Sequence, residues 1–398
     1  MNPYIVLTLV KAGLIAFVLV TVLAYLVWVE RKVLAHIQLR VGPNRVGPHG
    51  LLQPLSDLIK LLFKEGVIPS HVNKPIYLAA PFLAVMLALS SIAVLPLGPQ
   101  IEVFGIKTNM GLADINIGIL FVLAIGSLGV YGVALAGWAS NNKYALIGGL
   151  RSSAQMISYE LPMAMALVAP LLLFNTLSLR EIVEAQSGYY FGVIPRWAIF
   201  QMPLPQILSF ILFLIASFAE TNRIPFDLPE AENELVAGFH TEYSSMLFAA
   251  FFTAEYGHIV TACMVGSLVF LGGWQPLWPA EYGSIFFPTI VHWFFAGICF
   301  WHSMQPARWY DKYTMPVVGV ILFLLGCVFL VPVLQPILVP LFWLLFKVGF
   351  LIFVFIWIRG TLPRFRYDQL MRFAWTFMFP VAVANLLITG LMVALTSK

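Results

Sequence analysis

Glu220-Thr-Asn-Arg-Ile-Pro-Phe-Asp227-Leu-Pro-Glu230-Ala-Glu232-Asn-Glu234-Leu-Val-Ala-Gly-Phe-His-Thr-Glu242-Tyr243 separates two long apolar runs and holds six carboxylates, a third of the 18 acidic residues in the chain. Ionised carboxylates are costly beside or inside a bilayer, and they commonly escape the cost by holding or sharing protons. A proton-handling element is therefore the leading reading of this stretch; a solvated loop is the alternative. If a helix starts at Asp227 as N-cap, with Pro229 in its first turn and Glu230 three residues on, Glu230 and Glu234 share one face and Glu232 turns away. Glu255, inside the next apolar run, would carry the row into the membrane.

Outward from this stretch the chain is 61% hydrophobic and only 10% charged, against about 25% charged in soluble domains. Ten apolar runs read as membrane helices, near 5–29, 77–97, 114–137, 155–177, 204–219, 245–273, 286–304, 315–335, 338–358 and 373–395. The fold class is thus an all-α polytopic membrane protein, one membrane domain over 1–398. The intervals on one side (30–76, 138–154, 220–244, 305–314 and 359–372) collect 16 of the 22 Lys and Arg residues. The positive-inside rule makes that side cytoplasmic and leaves both termini outside. Cys263, Cys299 and Cys327 stand singly in apolar runs, without metal-ligand spacing.

Several inside residues carry chemistry. Glu30-Arg31-Lys32 leads to Arg40-Val-Gly-Pro-Asn-Arg45, where Gly-Pro marks turns beside fixed charges. Residues 50–65 space Leu51, Leu55, Leu58, Ile59, Leu62 and Phe63 as one helical face, with Asp57, Lys60 and Lys64 interleaved. Such a helix lies in the membrane interface, either as an anchor or as part of a binding chamber. Glu160 falls within an apolar helix, an intramembrane acid with function or structural pairing as its two readings. Arg151, Gln155 and Tyr159, spaced by four, share a face one position round from it if the helix begins that early. Lys11 and Lys347 either snorkel or join a proton path. His258, His292 and His302 read as packing or polar pairing. The sequence has no Gly-rich nucleotide loop, iron–sulfur cysteine set or haem motif, so any electron carrier belongs to a partner, and no nucleic-acid partner is expected.

Taken together, Glu30-Arg31-Lys32, Arg40 to Arg45, Gly137 to Glu160, Glu220 to Tyr243 and Arg359 to Asp368 resemble, nearly end to end, the H-type membrane subunit of proton-pumping NADH:quinone oxidoreductase, respiratory complex I. Membrane-bound hydrogenases share parts of the pattern, and a stand-alone secondary ion transporter is a third reading. The resemblance implies a bacterial inner-membrane subunit joining the membrane and peripheral arms, with quinone as substrate and membrane lipids around it. It also implies that this chain binds no cofactor of its own, while neighbouring subunits carry FMN and the iron–sulfur clusters. Carried over by motif, Glu30, Arg31, Arg40 and Arg45 line the quinone chamber, with Lys60 near its mouth. Glu160, Asp227, Glu230, Glu232, Glu234 and Glu255 form an acidic path from it. The chain departs from the family's eight-helix layout after Gly272-Gly273-Trp274: residues 286–335 read as an inserted helix pair, packed at the lipid-facing periphery or against an accessory partner.

Overall fold

A computed structural model describes residues 3–103, 106–202, 204–227, 236–306 and 308–396. Glu230, Glu232 and Glu234, with the helix expected to start at Asp227, lie outside the described residues. The long helices are α1 (Pro3–Ile37), α3 (Lys74–Ile92), α4 (Gly118–Ala139), α5 (Lys143–Phe174), α7 (Ile207–Glu220) and α8 (Ser245–Phe270). They continue as α9 (Phe287–Met304), α10 (Asp311–Val328) and α11 (Gln335–Thr361). The last crossing is α12 (Tyr367–Phe373), a π turn over Ala374–Met378, and α13 (Phe379–Thr396). Two shorter helices, α2 (Gln53–Phe63) and α6 (Leu179–Ala185), complete the set. Among the described residues, nine helical segments are long and apolar enough to cross a membrane, and α7 is a shorter apolar tenth. Strand structure among these residues is confined to two small antiparallel hairpins, β1 (Gln100–Val103) with β2 (Ile106–Asn109), and β3 (Tyr189–Tyr190) with β4 (Ile194–Pro195).

Two boundaries differ most from the sequence reading. Residues 138–154 read as a loop, but α5 begins at Lys143, its first turn capped by the Asn142 side chain accepting from the Tyr144 amide at 2.9 Å. The glycines that suggest a loop are packing residues. A methyl on Gly137 would stand 2.6 Å from the Ala145 carbonyl oxygen and 3.1 Å from Gly149 Cα, and one on Gly148 2.7 Å from Gly238 Cα. Within lipid, close backbone approach through small residues replaces the hydrophobic drive that assembles soluble helices. At 1.5 Å per residue, α5 is about 48 Å long, so it projects well beyond a hydrocarbon core of about 30 Å.

The second boundary is the end of α1, which runs through Glu30 to Ile37 rather than stopping at Val29. No helix breaker occurs before Gly42-Pro43, and the charges at its end are held by other elements. Glu30 turns inward and Arg31 outward to Asp57 of α2, at 2.9 Å.

The bundle pairs α3 with α4, α4 with α5, and α5 with α7 and α13, while α8 packs against α3 and α11. Its main apolar core draws Leu23 from α1, Tyr159 from α5, Phe213 from α7, Leu268 from α8 and Leu344 from α11. Arg151, Gln155 and Tyr159 do share one face of α5. Arg151 stacks over Tyr367, Tyr159 donates to the Leu370 carbonyl at 2.8 Å, and Gln155 reaches the turn after α7. Helix α2 buries no residue and exposes Leu55, Leu58, Ile59, Leu62 and Phe63 together, which suits a helix lying in the membrane interface. Its C-terminal end is tied to the start of α8, where the Ser245 hydroxyl donates to the carbonyls of Leu61 and Lys64.

The helices α9 and α10 form a tight antiparallel pair with largely exposed apolar faces. At one end Phe287 stacks on Trp343 of α11, centroids 5.1 Å apart. At the other, the connection between them meets the loop after α1: Arg308 donates to the Asn44 side chain, and Asp311 pairs with His49 at 3.0 Å.

Candidate functional site

Two polar systems inside the bundle meet at α8. The first centres on Glu30, which is only 5% exposed. Its carboxylate accepts from the Tyr256 hydroxyl at 2.5 Å, from Arg223 at 3.1 Å and from Arg359 at the end of α11. Arg223 also places Nε 2.5 Å from Glu255 Oε1, and its guanidinium lies 4.4 Å from the Tyr256 ring centroid. Two carboxylates and two guanidiniums thus balance in charge. That balance is what makes a buried ionic cluster tolerable, because removing one partner strands the others. The turn that delivers Arg223 is organised by Gln155, whose amide lies within hydrogen-bonding reach of the Ala219 carbonyl, the Asn222 side chain and the Phe226 carbonyl. Asn222 in turn donates to Ser152.

The second system is a cavity of about 90 Å³ on the other side of Glu255, room for about three waters. Glu220, Asn222, His240, Glu255 and His258 supply its polar wall. An adjoining space of about 40 Å³ shares Glu220 and His258 and adds Ser91 and Thr261, whose hydroxyls are 3.0 Å apart. Glycines on α4 make the room: a methyl on Gly126 would stand 3.2 Å from Glu220 Oε1, and one on Gly129 3.6 Å from the His258 ring. Glu160 on α5 accepts from the Ser127 hydroxyl of α4 and lies within electrostatic range of Glu220. Burial lowers the His240 imidazole from 6.5 to about 4, so it is neutral near pH 7. Carboxylates, imidazoles, hydroxyls and space for water thus lie close together here, and groups of these kinds can hold and pass protons.

The structure sorts the sequence-derived candidates. Glu30 and Glu255 are joined by Arg223, Glu255 and Glu220 face one cavity, and Glu160 lies within electrostatic range of Glu220. Asp227 pairs with Arg364 at 2.8 Å. Arg31, Arg40, Arg45 and Lys60 do not join Glu30. Arg31 holds α2, and Arg40 lines a separate cavity with Lys32, His49 and Arg308. Arg45 borders an open groove with Asn44 and Gln53, while Lys60 is exposed on α2. Glu242 accepts from Asn142 at 2.6 Å, in a loop fixed by the stacked Tyr77 and Tyr243 rings.

Sequence reasoning missed Arg223, Tyr256 and Arg359 as partners of Glu30, and Gly126 and Gly129 as the residues that leave space. The one available signal was Arg223 itself, the lone Arg or Lys in the acidic stretch. His258, read from sequence as packing or polar pairing, lies at the cavity wall. The two open lysines also resolve. Lys347 donates to the carbonyls of Leu271, Gly273 and Gln275 at 2.6–2.7 Å, over the Trp197 ring, where a cation complements the C-terminal end of α8. Lys11 binds Thr108 and the Asn109 carbonyl of β2.

A family model described as NADH dehydrogenase matches residues 10–390. The chain is 60% identical over 398 residues to an H-type NADH-quinone oxidoreductase subunit of Solibacter usitatus, covering 100% of this chain and 99% of that one. It is 46% identical over 402 residues to an H-type subunit of the same enzyme from Koribacter versatilis, covering 98% of each chain. With a Geobacter metallireducens subunit of that type it is 43% identical over 406 residues, covering 99% and 97%. The first of these matches runs the whole length, so residues 286–335 have a counterpart in that relative.

Proposed function

Because the chain belongs to the family of H-type subunits of NADH-quinone oxidoreductase, and is thus a multi-pass bacterial membrane subunit of that oxidoreductase complex, we propose that it couples reduction of quinone to movement of protons into the membrane arm. The observation that carries the reading is the cavity shared by Glu220, Glu255 and His258, reached from Glu30 through Arg223. In this reading the Lys- and Arg-rich side is cytoplasmic, and the ends of α1 and α2 form the entrance of the quinone chamber, with Arg31, Arg40, Arg45 and Lys60 around it. Neighbouring subunits supply FMN, the iron–sulfur clusters and the direct quinone ligands.

The physical link is electrostatic. Reducing a bound quinone alters the charge near Glu30. Arg223 is shared between Glu30 and Glu255, so a shift of its guanidinium toward one weakens its hold on the other. That changes the proton affinity of Glu255 and, across the cavity, of Glu220 and Glu160. Asp227, Glu230, Glu232 and Glu234 extend the acidic path on the cytoplasmic side. A bias set by one ligand and read by partner subunits is a coupling free energy between distinct sites.

Glutamine at Glu160, Glu220 or Glu255 removes one titratable site at nearly constant volume. In the assembled complex, quinone reduction and proton pumping are expected to fall together, severalfold, with the subunit still incorporated. Normal activity in assembled variants would rule out the path. Failure to assemble would mark the carboxylates as structural.

A further inference from the structure

We propose that the cavity between the end of α1 and the α9–α10 connection is a binding site for the phosphate headgroup of an acidic phospholipid. It measures about 280 Å³ and is lined by Lys32, Arg40 and Arg308, with Asp311 the single carboxylate among them. His49 and His302 stand 3.0 Å and 3.9 Å from Asp311, and the three cations outnumber this carboxylate by two. The Lys32 ammonium has no carboxylate within ion-pair distance among the described residues; its neighbour is the Trp28 ring at 5.8 Å. Cations gathered without matching anions repel one another, and an oxyanion placed among them relieves that cost.

The position selects a lipid over other carriers of a phosphate. The cavity lies where α1 and α9 end and α10 begins. Trp301, Trp309 and Tyr313, at or beside the α9 and α10 ends that border it, are 68%, 81% and 65% exposed, and exposed aromatic residues of this kind mark the headgroup level of a bilayer. The α9–α10 pair meets the loop after α1 through Arg308–Asn44 and His49–Asp311, while α1 does not pack extensively along α9 or α10 among the described residues. Phe17, Val22 and Tyr25 of α1 and Val317, Ile321 and Leu324 of α10 are exposed, so both helices whose ends border the cavity offer apolar surface to acyl chains. Basic pockets between membrane helices on the cytoplasmic side are a recurrent way of holding acidic headgroups. The α9–α10 segment would thus seal itself to the bundle through a lipid, a role separate from the proton path that shares Arg40 with the proposed chamber entrance.

The test uses the assembled complex, stripped of lipid and reconstituted in phosphatidylcholine nanodiscs, with a headgroup-photoactivatable phosphatidylglycerol as probe. Crosslinks are mapped by mass spectrometry. Labelling should fall on peptides carrying residues 32–49 and 302–313, be competed by phosphatidylglycerol, and resist both phosphatidylcholine and millimolar inorganic phosphate. The double variant Lys32→Gln/Arg308→Gln should weaken apparent affinity roughly thirtyfold, the loss expected for two cations at a membrane surface. Asp311→Asn should strengthen it, a gain that misfolding cannot produce. Equal labelling by a phosphatidylcholine probe, or no change in either variant, would overturn the proposal. Displacement by inorganic phosphate alone would do so too, by identifying a free-anion site.

Discussion

Arg223 crosses from the turn after α7 to place its Nε 2.5 Å from Glu255 in α8, and its Nη1 lies 3.1 Å from Glu30 in α1. One side chain therefore connects the C-terminal part of the first helix with the acid that borders the cavity. Glu30 has Arg359 as a second cation, whereas Arg223 is the cation recorded beside Glu255.

Loss of this guanidinium should be costly. Arg223→Gln leaves Glu30 and Glu255 buried with one cation fewer, a destabilisation of about 3–5 kcal/mol for a broken buried pair. The expected result is poor incorporation and a lowered melting temperature of the complex, with partial recovery in Arg223→Gln/Glu255→Gln. A single variant that assembles and melts like the wild type would show that the cluster contributes nothing to stability.

Gly126 and Gly129 separate function from folding. A methyl at Gly126 meets the Glu220 carboxylate at 3.2 Å, tight enough to displace a flexible side-chain end, whereas a methyl at Gly129 meets His258 at an ordinary 3.6 Å. Alanine also gains about 1 kcal/mol of helix propensity over glycine. Gly126→Ala should therefore assemble at least as well as the wild type yet pump more slowly, and Gly129→Ala should pump normally. Identical pumping rates in the two variants would contradict a role for the Glu220 position.

Lys347 should behave as a structural cation. Lys347→Met withdraws the donor from three carbonyls at the end of α8, a loss on the order of 3 kcal/mol or more for bonds to a charged group. Incorporation should drop while the ratio of protons pumped to quinone reduced stays constant in the complexes that form. A normal yield with a reduced ratio would instead place Lys347 on the proton path.

Orientation can be read from the α9–α10 connection. Trp309 is 81% exposed, so Trp309→Cys, in a background lacking Cys263, Cys299 and Cys327, should react with a membrane-impermeant maleimide from the cytoplasmic face alone. Labelling from the opposite face would reject the proposed topology.

Helix existence was legible because membrane insertion imposes a length and an apolar composition that a single chain must satisfy by itself. Ten apolar runs and a one-sided distribution of Lys and Arg are properties of local sequence, and they led to the all-α polytopic fold. Glu160, Glu30 and Glu255 were identifiable for the same reason: an acid in or beside an apolar run is conspicuous whatever it touches. Local reading erred where one residue type serves two physical purposes. Gly148 and Gly149 suit a loop by flexibility and a helix contact by small size, and only the approach of Gly137 and Gly238 distinguishes these.

What tertiary structure alone decided is which charges face each other. Arg359 follows Glu30 by 329 residues and Tyr256 by 226, separations that no periodicity reports. Arg31 and Glu30 are adjacent in sequence yet point to α2 and to the interior, because consecutive helical positions are about 100° apart. Arg40 lies past the end of α1 and Lys60 on the separate helix α2, which keeps both away from the buried cluster. Composition and hydropathy thus determined that this chain is a membrane bundle with acids in and beside its apolar runs. Packing of the helices determined that Arg223 bridges two of those acids, that a small cavity joins one of them, Glu255, to Glu220, and that Lys347 caps a helix, since each depends on distances between elements far apart in the chain.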